Sequence, residues 1–507
     1  MAVLSLGIDL GLGQPMEHML RQCVISLELA KRSDLSGSDA ELVYLVGLLA
    51  FVGCHGDSHE QARWFGDDIA LRADVYTADL TPMRQARFMM SRVGAGAPPA
   101  RRARTVVGFM RTGRRELGGM RVGHCSVAGE LAVRLGLGEE VRDALQQVFE
   151  RWDGNGDPGA VGGPEIGMPA RLVQFADVVE VFHRTGGVDA ALGVARARRG
   201  TQFDPGVVDL FCEHHSDVLA PLDDPESWDP LLFTHPRLGR SLADEDVTAA
   251  FEAIADFTDL KSPYTLGHSR AVADLAADAA TVLGLPAEQV TAIRAAGLLH
   301  DLGRLGISNG IWDKVSPLTA SERERIRLAP YLTDRMLSAS TSLASLAGIA
   351  SAHQERLDGS GYPRRLKGDS LAPAARVLAA ADVYQAMLEP RPHRPARPAG
   401  EAADELRAEA RAGRLDGEAV ASVLRAAGHP TRKRPERPAG LTPREVEVLA
   451  LIARGLQSKE IAQRLVITLK TVDHHIGHIY MKIGASNRVT AALFATEHGL
   501  LGASGER

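Results

Sequence analysis

Apolar residues recur at helical spacing along nearly the whole chain. From Ala287 to Ala296 they fall three and four positions apart, and from Ala295 to Leu299 the run is wholly apolar. This pattern predicts a helix with a deeply buried C-terminal end, entered at Pro286, where a first helical turn accepts proline. A second apolar helical run is predicted from Arg376 to Met387. Towards the C-terminus, Thr442-Pro443-Arg444-Glu445 reads as a capping box. Helices are predicted there over Glu445 to Ala453, Ser458 to Leu465 and Thr468 to Ile483, with Gly455-Leu456 as the first turn. Strict alternation of β-branched residues is nearly absent, so the fold class expected is all-α.

Polar residues interrupt this pattern where they should be costly. The helix ending at Leu299 runs straight into His300-Asp301, and Asp382 lies inside the apolar run 376–387. A buried charge needs a partner, and a metal ion is the most direct one for adjacent imidazole and carboxylate. His268 stands 32 residues before His300, and His353-Gln354-Glu355 precedes Asp358-Gly359-Ser360-Gly361-Tyr362-Pro363.

Together these motifs resemble the HD superfamily of metal-dependent phosphohydrolases, specifically its HD-GYP branch, over about Asp246 to Gly428. Lys314, Pro317-Leu318-Thr319, Leu366-Lys367-Gly368 and Arg391-Pro392-His393-Arg394 extend the match. The resemblance implies that His268, His300, Asp301 and Asp382 hold one divalent metal, with His353 as a ligand to a possible second. Nitrogen and oxygen ligation suits Mn, Fe, Co, Ni or Zn. Catalytic roles would fall to Asp301 and Arg304, and ligand contacts to Arg304, Lys314, Gly361, Tyr362 and Pro363. Cyclic di-GMP is the nucleotide that the branch hydrolyses. Four positions depart from its pattern: Ala329 and Gln354 replace second-metal histidines, Arg304 replaces a lysine, and Tyr264 replaces a carboxylate. Arginine clamps phosphate but stays protonated, so it is a poor proton donor.

The first half reads as a second copy without the chemistry. Glu150 to Pro158 parallels Glu355 to Pro363, and Asp177 follows Asp153 by 24 residues, as Asp382 follows Asp358. His18 precedes Ala50-Phe51 by the spacing that separates His268 from His300-Asp301. With that pair apolar, and Val148-Phe149 in place of the tandem histidine, His18, His124 and Asp177 are too few for a closed metal site. An arginine-rich insertion, Gln85 to Arg121, interrupts this copy as a solvated face or an anion- or partner-binding surface.

Leu441 to about Leu500 resembles the LuxR-type helix-turn-helix, on Lys459-Glu460-Ile461-Ala462, Lys470-Thr471-Val472, His475-Ile476, Lys482-Ile483-Gly484 and Asn487-Arg488. That resemblance implies double-stranded DNA as a partner, with the helix from Thr468 in the major groove. The DNA-facing set is Lys459, Lys470, Thr471, Val472, Asp473, His474, His475 and Lys482. Asp473 and His474 stand where basic residues often read bases, and Ala491 to Leu500 would supply a homodimer surface.

Composition alters this picture little. Hydrophobic content is 45% with 5% aromatic, which fits packed helices, and a net charge of −6 excludes a chain-wide nucleic-acid coat. Four scattered cysteines and no basic-then-apolar leader suggest a reduced, cytoplasmic protein. The apolar run Leu42 to Cys54 is shorter than the roughly 20 residues of a membrane span, so no membrane is expected. The expected order is residues 1–212, a degenerate HD-GYP-like bundle; 213–245, a linker; and 246–428, an HD-GYP-like bundle with a one-metal site. A basic Pro-rich linker, 429–440, then leads to the four-helix reader, 441–507. Two functions remain open: a regulator whose HD-GYP-like domains sense, and slowly hydrolyse, a phosphate-bearing nucleotide, or a metal-dependent phosphohydrolase with an accessory DNA-binding domain.

Overall fold

The protein is described from a computed structural model covering residues 1–33, 35, 37–76, 82–156, 158–223, 244–428 and 438–502. Among these residues there are helices and turns, a few isolated bridges and no strand. The fold is all-α, as the patterning predicts. Two compact units form, one of Met1–Cys54 with Trp64–Val247, the other of His55–Arg63 with Thr248–Arg507.

The first unit is built on helices His18–Arg32, Gly37–Leu49, Met168–Ala197 and Pro205–Leu219. Phe175 anchors its core, meeting Phe203 and Phe211 edge-on at 5.1 and 5.2 Å. Phe51 packs edge-on against Phe149 at 5.6 Å, so the position of a His-Asp pair is filled by apolar packing. The stretch Gly37–His55 is long and apolar enough to cross a membrane, contrary to the sequence expectation, but 67% of it is buried in the protein. The insertion is helical, Pro82–Arg92 and Pro99–Gly108, over a small core of Trp64, Phe65, Leu71, Val93 and Phe109. Arg101, Arg102 and Arg104 lie on its exposed face. Helix Pro205–Leu219 runs past residue 213, where the sequence places the start of the linker. Residues 224–243 of that linker and 429–437 of the basic linker lie outside the described residues.

In the second unit, helix Ala287–Leu299 matches its predicted span, with Pro286 as the N-cap rather than the first helical residue. Helix Pro373–Leu388 contains the predicted 376–387 run. Helix Ala320–Ser338 starts on a capping box, Thr319 with Glu322. The reader's four helices are Pro443–Ala453, Ser458–Leu465, Leu469–Ile483 and Arg488–Glu497. Its capping box forms as predicted: Glu445 N donates to Thr442 Oγ1 at 3.2 Å, and Thr442 N donates to Glu445 Oε2 at 2.7 Å.

Local geometry recurs between the units. Asp9 accepts from Met19 N at 3.0 Å, and Asp259 accepts from Ser269 N at 2.8 Å. Glu150 accepts from Gly159 N and Ala160 N, and Glu355 accepts from Arg364 N and Leu366 N. Arg171 pairs with Asp204 at 2.9 Å, and Arg376 pairs with Asp416 at 3.0 Å.

Candidate metal centre and DNA reader

Four elements deliver the candidate ligands to one buried point. His268 opens helix His268–Leu283, behind Gly267 in the left-handed region at φ 75°. His300 and Asp301 follow helix Ala287–Leu299, and Asp382 projects from helix Pro373–Leu388. His353 follows helix Ala344–Ala350. His300 Nδ1 donates to Gly297 O and His353 Nδ1 to Ala350 O, each at 2.7 Å, which turns both Nε2 atoms inward. Gly303 lets the pair approach helix Ala320–Ser338, because a Cβ there would lie 1.8 Å from Ala329 O.

His268 Nε2 lies 3.3 Å from Asp382 Oδ1 and 3.6 Å from Asp301 Oδ2, and His300 Nε2 lies 3.3 Å from Asp301 Oδ2. Two overlapping triads result, His268-His300-Asp382 and His300-Asp301-His353, each with ligand atoms within 4.8 Å of one another. His268 Nε2, His300 Nε2 and Asp301 Oδ2 are buried and find no well-formed hydrogen bond. Such inward-facing, unsatisfied nitrogen and oxygen atoms fit a divalent metal ion.

The electrostatics agree. Burial would raise the Asp301 carboxyl, but Arg304, His300 and His268 hold it well below the usual carboxylate range. Burial would lower His268, but the carboxylates of Glu389 and Asp382 outweigh it and bring the imidazole up to about 10. Burial, together with the charge of His300, pushes His353 down to about 4. A metal and protons therefore compete for the same lone pairs.

Several contacts were not foreseen from sequence. Glu389 Oε2 sits 2.9 Å from His268 Nδ1 and 3.1 Å from Arg391 Nη2. Seven residues after Asp382, it lies two turns on along the same helical face, which is the signal that could have found it. Gln354, in place of a histidine, donates to Asp382 Oδ2 at 3.0 Å and faces the Tyr362 hydroxyl at 3.2 Å. Ala329, where another ligand would stand, is buried.

The expected ligand-contacting residues divide. Arg304 pairs with Asp301 Oδ1 at 2.9 Å and lies over the Trp312 ring at 4.7 Å, at the edge of the centre. Gly361, Tyr362 and Pro363 form a loop held by Glu355, with a cis Tyr362–Pro363 bond. Lys314 instead binds both oxygens of Glu322, at 2.8 and 2.7 Å, so its charge is already matched.

In the reader, Lys459, Lys470, Asp473 and His474 are exposed, and Thr471 and His475 are half-buried. Val472 is a correction: it is 0% exposed within the reader's core and cannot touch DNA through its side chain. Lys482 is exposed but tied to Glu445 Oε2 at 2.7 Å. The dimer surface expected at Ala491 to Leu500 is another correction. Leu260 joins the reader's core cluster with Ala491, Ala492, Leu493, Ala495 and Leu500, and Leu266 packs against it. The segment before His268 thus occupies part of that apolar face.

The HD domain family profile matches residues 252–419, and the profile of bacterial regulatory proteins of the luxR family matches residues 439–495. The chain joins an HD domain to a LuxR-type domain. It is homologous to HD-GYP phosphodiesterases. It is 28% identical over 402 residues to 3'3'-cGAMP-specific phosphodiesterase 3 of Vibrio cholerae, covering 78% of this chain and 87% of that protein. Phosphodiesterase 1 of the same name and organism is 34% identical over 193 residues, 38% of this chain and 44% of that protein. A cyclic di-GMP phosphodiesterase response regulator of Xanthomonas campestris is 39% identical over 116 residues, 22% of this chain and 31% of that one. The crystal structure of a cyclic GMP-AMP-specific phosphodiesterase of Vibrio cholerae shares the fold, with a TM-score of 0.55 at 24% identity, over 84% of this chain and 95% of that one.

Proposed function

We propose that this protein is a cytoplasmic DNA-binding regulator whose HD domain holds a divalent metal ion and binds a cyclic dinucleotide there. The observation that carries the reading is the convergence of His268, His300, Asp301 and Asp382 on one buried point with unsatisfied atoms facing inward. Bound metal supplies Lewis acidity and a water of lowered pKa. Arg304 holds positive charge beside Asp301, where a phosphodiester oxygen would sit, and stays protonated throughout. The first unit is read as a tandem copy whose site has become a structural ion network. His18 Nε2 lies 3.0 Å from Asp177, and Arg21 donates to Glu180 at 2.8 Å.

Contacts between the centre and the reader support coupling. Arg391 links Glu389, at 3.1 Å, to Tyr264 O, at 2.9 Å, in the turn that carries Leu260 and Leu266 into the reader's core. Gly455 of the reader meets the same turn, since a Cβ there would lie 2.8 Å from Pro263 Cβ. A nucleotide that binds differently when this turn is docked or released would bias how two readers pair on DNA.

A second reading, a phosphodiesterase first and a DNA binder second, is favoured by the likeness that spans 87% of a Vibrio cholerae phosphodiesterase. One experiment tests both: metal content, 3'3'-cGAMP binding and 3'3'-cGAMP hydrolysis of the wild type, Asp301→Ala and Asp382→Ala. Metal and binding lost in both variants, with turnover negligible in the wild type, supports the regulator. Rapid turnover abolished by Asp301→Ala supports the enzyme. A wild type that retains no metal sinks both.

A further inference from the structure

Helix Ala320–Ser338 and the loop 359–365 enclose an open hollow of about 490 Å³, lined by Glu324, Arg327, Leu328, Tyr331, Tyr362 and Arg365 among others. Its contents are unusual for a solvated surface. Leu328 and Tyr331 are 49% and 44% exposed, side by side with a charged pair, Arg327 Nη1 to Glu324 Oε1 at 2.8 Å. The Arg327 guanidinium lies over the Tyr362 ring, 5.7 Å from its centroid. Arg365 is held in the left-handed region at φ 56°, a conformation that non-glycine residues adopt where surroundings impose it. The hollow also communicates with the metal centre: Tyr362 OH lies 3.2 Å from Gln354, which donates to Asp382 at 3.0 Å.

We infer that this hollow is a guanine subsite, with Tyr331 and Tyr362 offering ring faces and Glu324 and Arg327 reading the base edges. The inference rests on the nucleotide reading above, because it places the base of a dinucleotide whose phosphodiester lies at the metal centre. The volume falls within the range of small-molecule sites and suits a nucleoside. Aromatic faces stack on any base and give affinity without choosing among bases. The choice comes from the polar pair. A carboxylate only accepts, which matches the N1–H and N2–H donors of guanine, whereas adenine presents an acceptor at N1. A guanidinium fork matches guanine O6 and N7. Adenine satisfies neither group and would leave the Glu324–Arg327 pair desolvated without compensation.

Calorimetric titration of the metal-loaded full-length protein with 3'3'-cGAMP, cyclic di-GMP and cyclic di-AMP tests this, using the wild type, Tyr331→Ala and Glu324→Gln. Both replaced side chains are exposed, so melting temperature and metal content serve as controls for folding and for the centre. The wild type should bind the two guanine-containing ligands at least tenfold more tightly than cyclic di-AMP. Tyr331→Ala should weaken their binding roughly tenfold, the loss of one stacked base. Glu324→Gln should narrow the preference over cyclic di-AMP by a similar factor. Tight guanine-ligand binding that neither substitution alters overturns the subsite and leaves the nucleotide reading standing. A wild type that holds metal yet binds none of the three overturns the nucleotide reading and the subsite with it.

Discussion

Glu389 holds His268 Nδ1 at 2.9 Å, and so fixes which imidazole nitrogen faces the centre. A carboxylate behind a metal-binding histidine orients the ring and raises its basicity, and its loss typically costs about 10–100-fold in metal affinity. Glu389→Gln should therefore weaken metal binding by roughly that factor, read by competition with a chelator, while the melting temperature of the metal-free protein changes little. Unchanged affinity would make Glu389 merely an ion-pair partner of Arg391. His18 is the corresponding side chain of the first unit, and its chemistry is structural. Burial would lower its pKa, but bonding to Asp177 and Glu180 outweighs it and brings the imidazole up to about 10 from an ordinary 6.5. The native state thus keeps a proton that the unfolded chain releases above pH 6.5. That stabilisation is complete below pH 6.5 and is lost as pH rises through 10. His18→Gln should lower the melting temperature by roughly 5–10 °C at pH 6, as expected for breaking a buried ion network. The gap should shrink towards pH 10, and a pH-independent gap in thermal melts would contradict it.

At the scale of elements, the turn 260–267 is the piece that two domains share. It ends at a candidate metal ligand, and its apolar side chains, Leu260 and Leu266, enter the reader's cluster. Leu266→Asp should undock the turn, since a carboxylate gains nothing among Ile452, Val489 and Ala492. Anisotropy titrations with DNA selected from a random pool by the wild type should then give an affinity unaffected by 3'3'-cGAMP. In the wild type the nucleotide should shift that affinity by about fivefold or more. An equal nucleotide response in the variant would remove this turn from the coupling. Helix boundaries around it were legible in the sequence because capping boxes and proline act locally: Thr442 with Glu445 set the reader's start within one residue. The docking was not legible. Ala491, Ala492 and Ala495 read equally well as a homodimer face or as a bed for another part of the same chain.

Across the whole molecule, sequence by itself determined the all-α class, the order of HD and LuxR-type domains and the candidate metal ligands. Each depends on residue type at a fixed spacing, and helical periodicity converts spacing into a shared face. Tertiary structure alone decided which charges are already spent within the protein. Lys314 belongs to Glu322 and Lys482 to Glu445, although both look like phosphate contacts in sequence. It also decided that Val472 lies inside the reader, that Glu389 backs His268, and that Leu260 and Leu266 fill a face free for dimerisation on sequence grounds. The physical reason is common to all of these. Burial and ion pairing depend on distances between segments far apart in the chain, and a motif records the chemistry of a residue without recording what has already come to neutralise or cover it.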